Sequence, residues 1–473
     1  MNRKLKFVQY KIFLLIVFLP IYLTGQEVPA KKLSLEEAIR SAMKNNVELQ
    51  TAKLEVKKSD ARVMEAWGYA MPSVDLSGQY VRMVEKAPTY FPDVILYPLA
   101  KIMDTSLRLP RPTGKLVPMT SMIPDYNASA SLNVRQILFN GAVIVGVGAA
   151  NVYSHLARDL YYNKQVETVS KVRKTYYGAL LANEAVELMR ASLKNAEQNL
   201  KNVRLMRAQG IISEYDELRA TVGVDNLRPA VIQSETQYSL ALDGLRNVIG
   251  DGTKQELLLS DSLVMNFVDD TLVANAEQQV LISNPGIRAI DRQVDLNKAM
   301  IFAERSSYLP TLAAFGSYSY SGITDQFSNF ALKDFNKNIT VGLSLSLNLF
   351  QGLQTYAKVE QAQLEQRKTE EQRTGLERML VMGVRAEVGN LKQAKKRVEV
   401  QEKTVETAER GYKIVTTRFL ANAATQLEVN DAQIMLNQAK LNRMQAIFDY
   451  QVALASLDYL LGRIPNNLTD IDE

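Results

Sequence analysis

The stretch that decides the fold is ITVGLSLSLNL, residues 339–349, in which large apolar residues alternate with small polar ones. Successive side chains of a strand point to opposite faces, so this alternation predicts a strand with one apolar face. Its eleven residues also match the length of a tilted strand that crosses a bilayer. Taken alone, the segment fits a half-buried strand of a soluble sandwich at least as well.

Three more segments show the same alternation, at about 73–81, 128–138 and 311–320. Four such strands in one chain favour a membrane sheet over a soluble sandwich. The backbone of a strand in lipid must be hydrogen-bonded on both edges, so a membrane sheet has to close into a barrel. Because known barrels have eight or more strands, several copies of the chain must contribute, and three copies would supply twelve.

The chain is an internal duplication. A shift of 238 residues places Asn46 on Asn284, and a shift of 211 places LFNG at 138–141 on LFQG at 349–352. A shift of 212 then aligns the helices that follow. The predicted organisation is a first repeat at 33–252, a linker at 253–271, a second repeat at 272–462 and a tail at 463–473.

Each repeat has the order helix, strand, loop, strand, long helix, turn, long helix. The opening helices are predicted over 34–69 and 273–307, and one helix is predicted from 355 to about 420. A helix of that length is about 100 Å long and packs as a coiled coil. The first repeat carries about 27 extra residues between its strands, in a Pro-rich loop. The predicted fold class is therefore mainly α with a membrane β-barrel portion, from a duplicated strand–strand–long-helix-hairpin unit.

The composition excludes most catalytic and metal chemistry. The 473 residues include no Cys and a single His, His155. The absence of Cys removes thiol catalysis, Cys-ligated zinc and a thioether-linked lipid, and one His argues against His-based metal centres. We predict no cofactor and no metal site.

The first residues explain the charge of the chain. Residues 1–25 hold four basic and no acidic side chains around a short apolar run, which predicts a cleaved signal peptide; an uncleaved anchor is the alternative. The whole chain has a net charge of +5, so the mature chain is near +1. Nothing in that charge predicts a nucleic-acid partner.

The order and duplication of these motifs resemble the TolC family of outer-membrane efflux proteins. The resemblance rests on the duplicated opening LSLEEAIRSAMKNN at 33–46, the LFNG and LFQG turns and two tip hairpins. It implies a homotrimer with one twelve-stranded barrel in outer-membrane lipid and a periplasmic α-helical tunnel. It also implies a passive exit duct for efflux or type I secretion. Its partners would be a periplasmic adaptor (a membrane fusion protein) and an inner-membrane pump of RND, ABC or MFS type.

Two turns between long helices form the predicted tip. Gly210 and Asn422 occupy equivalent positions, and both residue types tolerate the left-handed conformation of a tight helix exit. In the family these turns dock to the adaptor. The resemblance assigns this docking to Arg204, Arg207, Gly210, Ile211, Ile212, Ser213, Phe419, Ala423 and Thr425.

The resemblance also implies constriction residues just after each turn. Glu428 and Asp431 match the family's paired acidic positions, and Tyr215 and Asp216 match its gating positions. A trimer would place six carboxylates of the acidic pair in a narrow pore, which favours cations. From the residues alone, Glu428 and Asp431 share one helix face because they are three apart, and that face fits a solvated surface as well, since acidic pairs are common. The family closes its tip with a salt bridge to an Arg, and Ala424 stands near the position of that Arg. The sequence therefore does not predict whether a salt bridge closes the tip of this chain.

Two other functions stay open. A non-channel periplasmic coiled-coil scaffold or adaptor is disfavoured by the four alternating strands at matching points of both repeats. An export-associated enzyme is disfavoured because no carboxylate lies in a catalytic motif. The sequence does not predict the exported substrate.

Overall fold

The computed structural model describes residues 31–464 except 107, 109–110, 120–123, 254, 266–272 and 326–334. The predicted signal peptide, part of the linker and most of the tail lie outside the described residues. Both repeats follow the predicted order of elements. The first repeat contains β1 (Lys31–Leu33), α1 (Leu35–Asn45), α2 (Val47–Gly68), β2 (Ser73–Arg82), β3 (Thr89–Pro92), α3 (Asp93–Met103), β4 (Leu116–Met119), β5 (Tyr126–Phe139), α4 (Gly141–Ala208) and α5 (Glu214–Ile249). The linker and second repeat contain β6 (Leu257–Leu259), α6 (Ala276–Ser283), α7 (Pro285–Arg305), β7 (Thr311–Thr324), β8 (Asn336–Ser346), α8 (Gln354–Leu420) and α9 (Gln426–Leu460).

The opening helix of each repeat is broken near its start, so the prediction of one continuous helix was wrong. Asn46 separates α1 from α2 in an extended conformation, and Asn284 separates α6 from α7 in the same way. The side-chain oxygen of Asn46 accepts a hydrogen bond from the backbone N–H of Leu49 at 3.0 Å. A new helix therefore begins at each Asn, capped by its side chain.

The same two amides also bind the far end of their own repeat. Asn46 Nδ2 donates to the carbonyl of Val248 in the last turn of α5, at 2.8 Å. Asn284 Nδ2 donates to the carbonyl of Leu460 in the last turn of α9, at 2.7 Å. In each repeat, therefore, a buried Asn side chain links the start of the repeat to its end.

The four long strands form one antiparallel sheet in the order β2-β5-β7-β8. The strand predicted at 339–349 lies at 336–346 instead, because Thr311 at the start of β7 pairs with Ser346. The residue before it, Pro310, has no N–H to donate, so the ladder does not extend further. Strands β2 and β8 form the edges, and each pairs with one neighbour in the described residues.

The register gives the sheet one apolar and one polar face, because residues directly opposite each other share a face. Leu343 pairs with Ala314 and Val134 pairs with Val74 on the apolar face. No described residue covers most of this face, and Val341 on it is 81% exposed. On the other face Ser77 and Ser131 hydrogen-bond at 2.7 Å, as the predicted alternation requires.

The long helices pack around α4, which contacts α1, α2, α5, α7 and α9. The largest buried cluster joins α1, α2, α4, α5 and α9 near the pairing of β1 with β6. There the hydroxyl of Tyr176 lies 2.9 Å from both the carbonyl of Leu33 and Oδ2 of Asp261, and burial raises the pKa of Tyr176. In the described ranges, no helix is long and apolar enough to cross a membrane.

Replacing Asn46 with Ala should lower the free energy of unfolding by about 1–3 kcal/mol, because it leaves the buried carbonyl of Val248 unpaired and removes a helix cap. Chemical denaturation followed by circular dichroism measures this. Asn45→Ala is the matched control, since Asn45 is exposed and its side-chain amide donates one long hydrogen bond, to Ser41 Oγ at 3.4 Å. Equal losses in the two variants would contradict the role assigned to Asn46.

Candidate pore and docking site at the hairpin tips

The two turns of the tip have the same backbone geometry. Gly210 has φ 73° and Asn422 has φ 57°, so both residues adopt the predicted left-handed conformation. The next N–H closes each turn: Ile211 N donates to Met206 O at 3.0 Å, and Ala423 N donates to the carbonyl of Arg418 at 2.8 Å. These bonds satisfy the last carbonyls of α4 and α8.

The helix that leaves each turn begins with a capping box. Ser213 N and Oγ donate to Oδ2 of Asp216 at 3.3 and 2.6 Å. Thr425 N donates to Oε2 of Glu428 at 2.7 Å, and Glu428 N donates to Thr425 Oγ1 at 3.3 Å. Two of the three carboxylates among the predicted constriction and gating residues therefore cap helices. The pattern of Ser or Thr followed three residues later by an acid was visible in the sequence at a shift of 212, and sequence reasoning missed it.

The first turn carries an ion-pair cluster that the sequence did not predict. Arg207 Nη1 lies 2.6 Å from Oε2 of Glu217, and Arg204 Nε lies 3.2 Å from Oε1 of the same residue. Arg207 also lies 3.4 Å from Glu214. The hydrogen bond from Arg207 holds the pKa of the Glu217 carboxyl below its usual value.

At the same positions the second turn carries an apolar pair. The 212-residue shift places Phe419 on Arg207 and Val429 on Glu217. Phe419 is only 3% exposed, so its ring is buried in the protomer. The resemblance had assigned Phe419 to adaptor docking, which requires an exposed side chain. It belongs to a cluster in which the second hairpin packs on the first, formed by Leu200, Val203, Ala220, Val224, Phe419 and Val429.

The other predicted docking residues lie at the surface of the turns. Ile212 is half-buried beside the apolar cluster. Arg418 Nη2 donates to the carbonyl of Ala423 at 2.7 Å, which fixes the second turn. The exposed residues are Arg204, Arg207, Gly210, Ile211, Ser213, Ala423 and Thr425.

Asp431 links the predicted gating residues through two grooves. It lines a groove of about 550 Å³ between α5 and α9 together with Tyr215, whose ring lies 5.0 Å below the guanidinium of Arg219. It also lines a groove of about 1040 Å³ between α8 and α9 together with Glu428. Asp216 lines neither of these two grooves. Among the residues that the structure describes, no three acidic or His side chains gather as a metal centre requires.

A duplicated chain whose four antiparallel strands continue into two long helical hairpins defines the architecture of an export channel protomer. The sequence profile of the outer membrane efflux protein family matches residues 38–251 and 276–463, and the chain belongs to this family. The resemblance read from the sequence is thereby confirmed, and with it the location in the outer membrane.

Individual relatives are distant in sequence and close in structure. Outer membrane protein TolC of Vibrio cholerae is 22% identical over 341 residues, which cover 71% of this chain and 77% of the relative. The Campylobacter jejuni CmeC outer membrane channel has a TM-score of 0.72 at 14% identity, covering 90% of this chain and 85% of that one. The open state of the Neisseria gonorrhoeae MtrE outer membrane channel has a TM-score of 0.70 at 17% identity, covering 90% and 88%. These similarities favour the channel over the scaffold, adaptor and enzyme alternatives.

Replacing Glu217 with Gln should speed amide hydrogen exchange at Gly210 and Ile211, because both ion pairs of Glu217 are lost. Since the folded pKa of Glu217 is lowered, its contribution is present above the ordinary pKa and is lost as the pH falls through the lowered value. The difference from the natural chain should therefore vanish at acid pH. Glu214→Gln is the control, because its single contact is longer and it should change exchange less.

Proposed function

We propose that three copies of this chain form a passive outer-membrane exit duct with one twelve-stranded barrel. The observation that carries this proposal is the four-stranded sheet with an uncovered apolar face and two edges, β2 and β8, that lack a second neighbour in the described residues. Such edges cannot remain open in lipid. The strands alternate in direction, so β8 of one copy and β2 of the next run antiparallel, and three sheets close without a mismatch.

The hairpins support the same symmetry. The second hairpin packs on the first through a face that contains Phe419 and Val429. No described part of the protomer packs in the same way on the equivalent face of the first hairpin, around Arg207 and Glu217, and Arg207 is partly exposed. A neighbouring copy would cover it with its own second hairpin, and three copies would form a ring of six hairpins around a tunnel. The seams of this ring would then differ: apolar within a protomer, ionic between protomers.

The tip would serve as constriction and docking site. In a ring, Glu428 and Asp431 of three copies contribute six carboxylates, and Tyr215 lies in the groove beside Asp431. Exposed turn residues, Ile211 and Ala423 among them, would contact a periplasmic adaptor, which would couple the duct to an inner-membrane pump. Such a duct catalyses no reaction: it provides a path, and the pump supplies the energy.

Replacing Leu343 with Arg should destabilise the inserted protein by about 2–4 kcal/mol, because a charge on the lipid face must leave water. Ser344→Arg is the matched control: its side chain points to the polar face and should cost far less. Unfolding from phospholipid vesicles measures both variants. If the two substitutions had the same effect, the sheet would not lie with its apolar face in lipid.

Replacing Glu428 with Gln and Asp431 with Asn should raise ion conductance in planar bilayers or weaken block by multivalent cations. Block should weaken about tenfold, since a carboxylate–cation contact near a protein surface contributes on the order of 1–4 kcal/mol. Gln at 428 can still accept the capping hydrogen bond from Thr425. Glu365→Gln, an exposed acid paired with Lys368 far from the tip, is the control. An unchanged channel would remove the acidic pair from the constriction, and a chain that forms no channel would refute the duct.

A further inference from the structure

The excursion between β2 and β5, described over residues 83–125 except 107, 109–110 and 120–123, lies at the end of the sheet away from the long helices. At the end of the sheet next to the long helices, β2 follows α2 and β5 leads into α4. At the opposite end of the sheet, Arg82 pairs with Tyr126. The excursion begins and ends at that pair. In the proposed barrel, with the helices in the periplasm, it lies at the outer surface of the membrane.

The excursion is a folded unit. Strands β3 and β4 pair, with Pro92 opposite Leu116, and α3 follows β3 directly. Asp93 at the start of α3 is buried and accepts hydrogen bonds from Thr113 N at 2.7 Å, Thr113 Oγ1 at 2.8 Å and Gly114 N at 2.7 Å. These bonds hold α3 against the segment that leads into β4.

One side of α3 is apolar and uncovered. The side towards the hairpin contains Leu96 and Ala100, which are half-buried. The opposite side has no cover in the described chain, and Ile102 on it is 77% exposed. This apolar stripe consists of Val94, Ile95, Pro98, Leu99 and Ile102.

Most of the exposed charges in and just after α3 are basic. Lys101, Arg108, Arg111 and Lys115 are exposed, Asp104 at the end of α3 is an exposed acid, and Asp93 at the start of α3 is turned into the unit. An apolar helix face beside exposed cations is the pattern of a helix that lies in the plane of a membrane surface. With 11 residues α3 is far too short to span a bilayer.

We propose that α3 is an interfacial membrane anchor, with its apolar stripe inserted among the acyl chains of the outer leaflet and the exposed cations of the excursion against phosphate headgroups. This inference rests on the proposed barrel, which places the excursion at the outer surface. Lipid fits the stripe better than the excursion of a second copy does. Two identical stripes in contact would bring their basic side chains together, and like charges repel, whereas anionic headgroups attract them.

The test uses tryptophan as a depth reporter, because the chain has a single Trp, Trp67. In a Trp67→Phe background, Ile102→Trp reports on the stripe, Leu343→Trp on the barrel and Val84→Trp on an exposed site of the excursion outside the stripe. Each full-length protein is reconstituted in vesicles of phosphatidylethanolamine and phosphatidylglycerol with brominated acyl chains, which quench tryptophan only within the bilayer.

The expected result is that Ile102→Trp emission shifts to the blue and loses most of its intensity, that Leu343→Trp is also quenched, and that Val84→Trp is not. If Leu343→Trp is quenched and Ile102→Trp is not, the anchor is refuted while the barrel stands. Blue-shifted but unquenched Ile102→Trp emission would show a protein contact instead and would likewise overturn the anchor. If neither reporter is quenched, the barrel itself fails, and the anchor fails with it.

Discussion

The rest of the structure depends on the hydrogen-bonding capacity of two strand edges. β2 and β8 each present a row of backbone N–H and C=O groups with no partner in the described chain, next to an apolar face that avoids water. Water could satisfy those edges but not the apolar face, and lipid could satisfy the face but not the edges. In the proposed trimer, another copy of the chain pairs with each edge and lipid covers the apolar face, so both demands are met. The protomer would then form one third of the barrel, with its helices extending from it.

The two repeats share the backbone geometry of their tip turns but differ in the side chains beside them. The turns after α4 and α8 share the left-handed residue, the closing hydrogen bond and the capping box. At one pair of positions beside the turns, however, one repeat has Arg207 and Glu217 and the other has Phe419 and Val429. The two hairpins therefore have the same backbone geometry but different side chains on the equivalent face. In the proposed trimer, six hairpins would surround the tunnel with two kinds of contact between them, of which the ionic one would respond to salt and pH.

Patterns of short range could be predicted from the sequence, and contacts between distant segments could not. The alternation at 339–349 and the turn residues Gly210 and Asn422 depend on their own neighbours, so the sheet and both tips were predicted. The break at Asn46 was missed because its reason is the carbonyl of Val248, some two hundred residues away. The burial of Phe419 was missed because it depends on the packing of one hairpin on the other, which periodicity within a helix does not reveal.

The amides of Asn46 and Asn284 have a consequence for how such a chain can be built. Each joins the beginning of a repeat to the last turn of the same repeat, and Ser283 Oγ adds a bond to the carbonyl of Leu461 at 2.8 Å. The two ends of a unit therefore meet at one place, although the unit reaches down a helix of 67 or 68 residues and back. A unit whose ends meet can be repeated in tandem with a short connector and no change inside either copy. A long hairpin and a duplicated unit are thus compatible, because the hydrogen bonds of Asn46 and Asn284 keep the two ends of each repeat together.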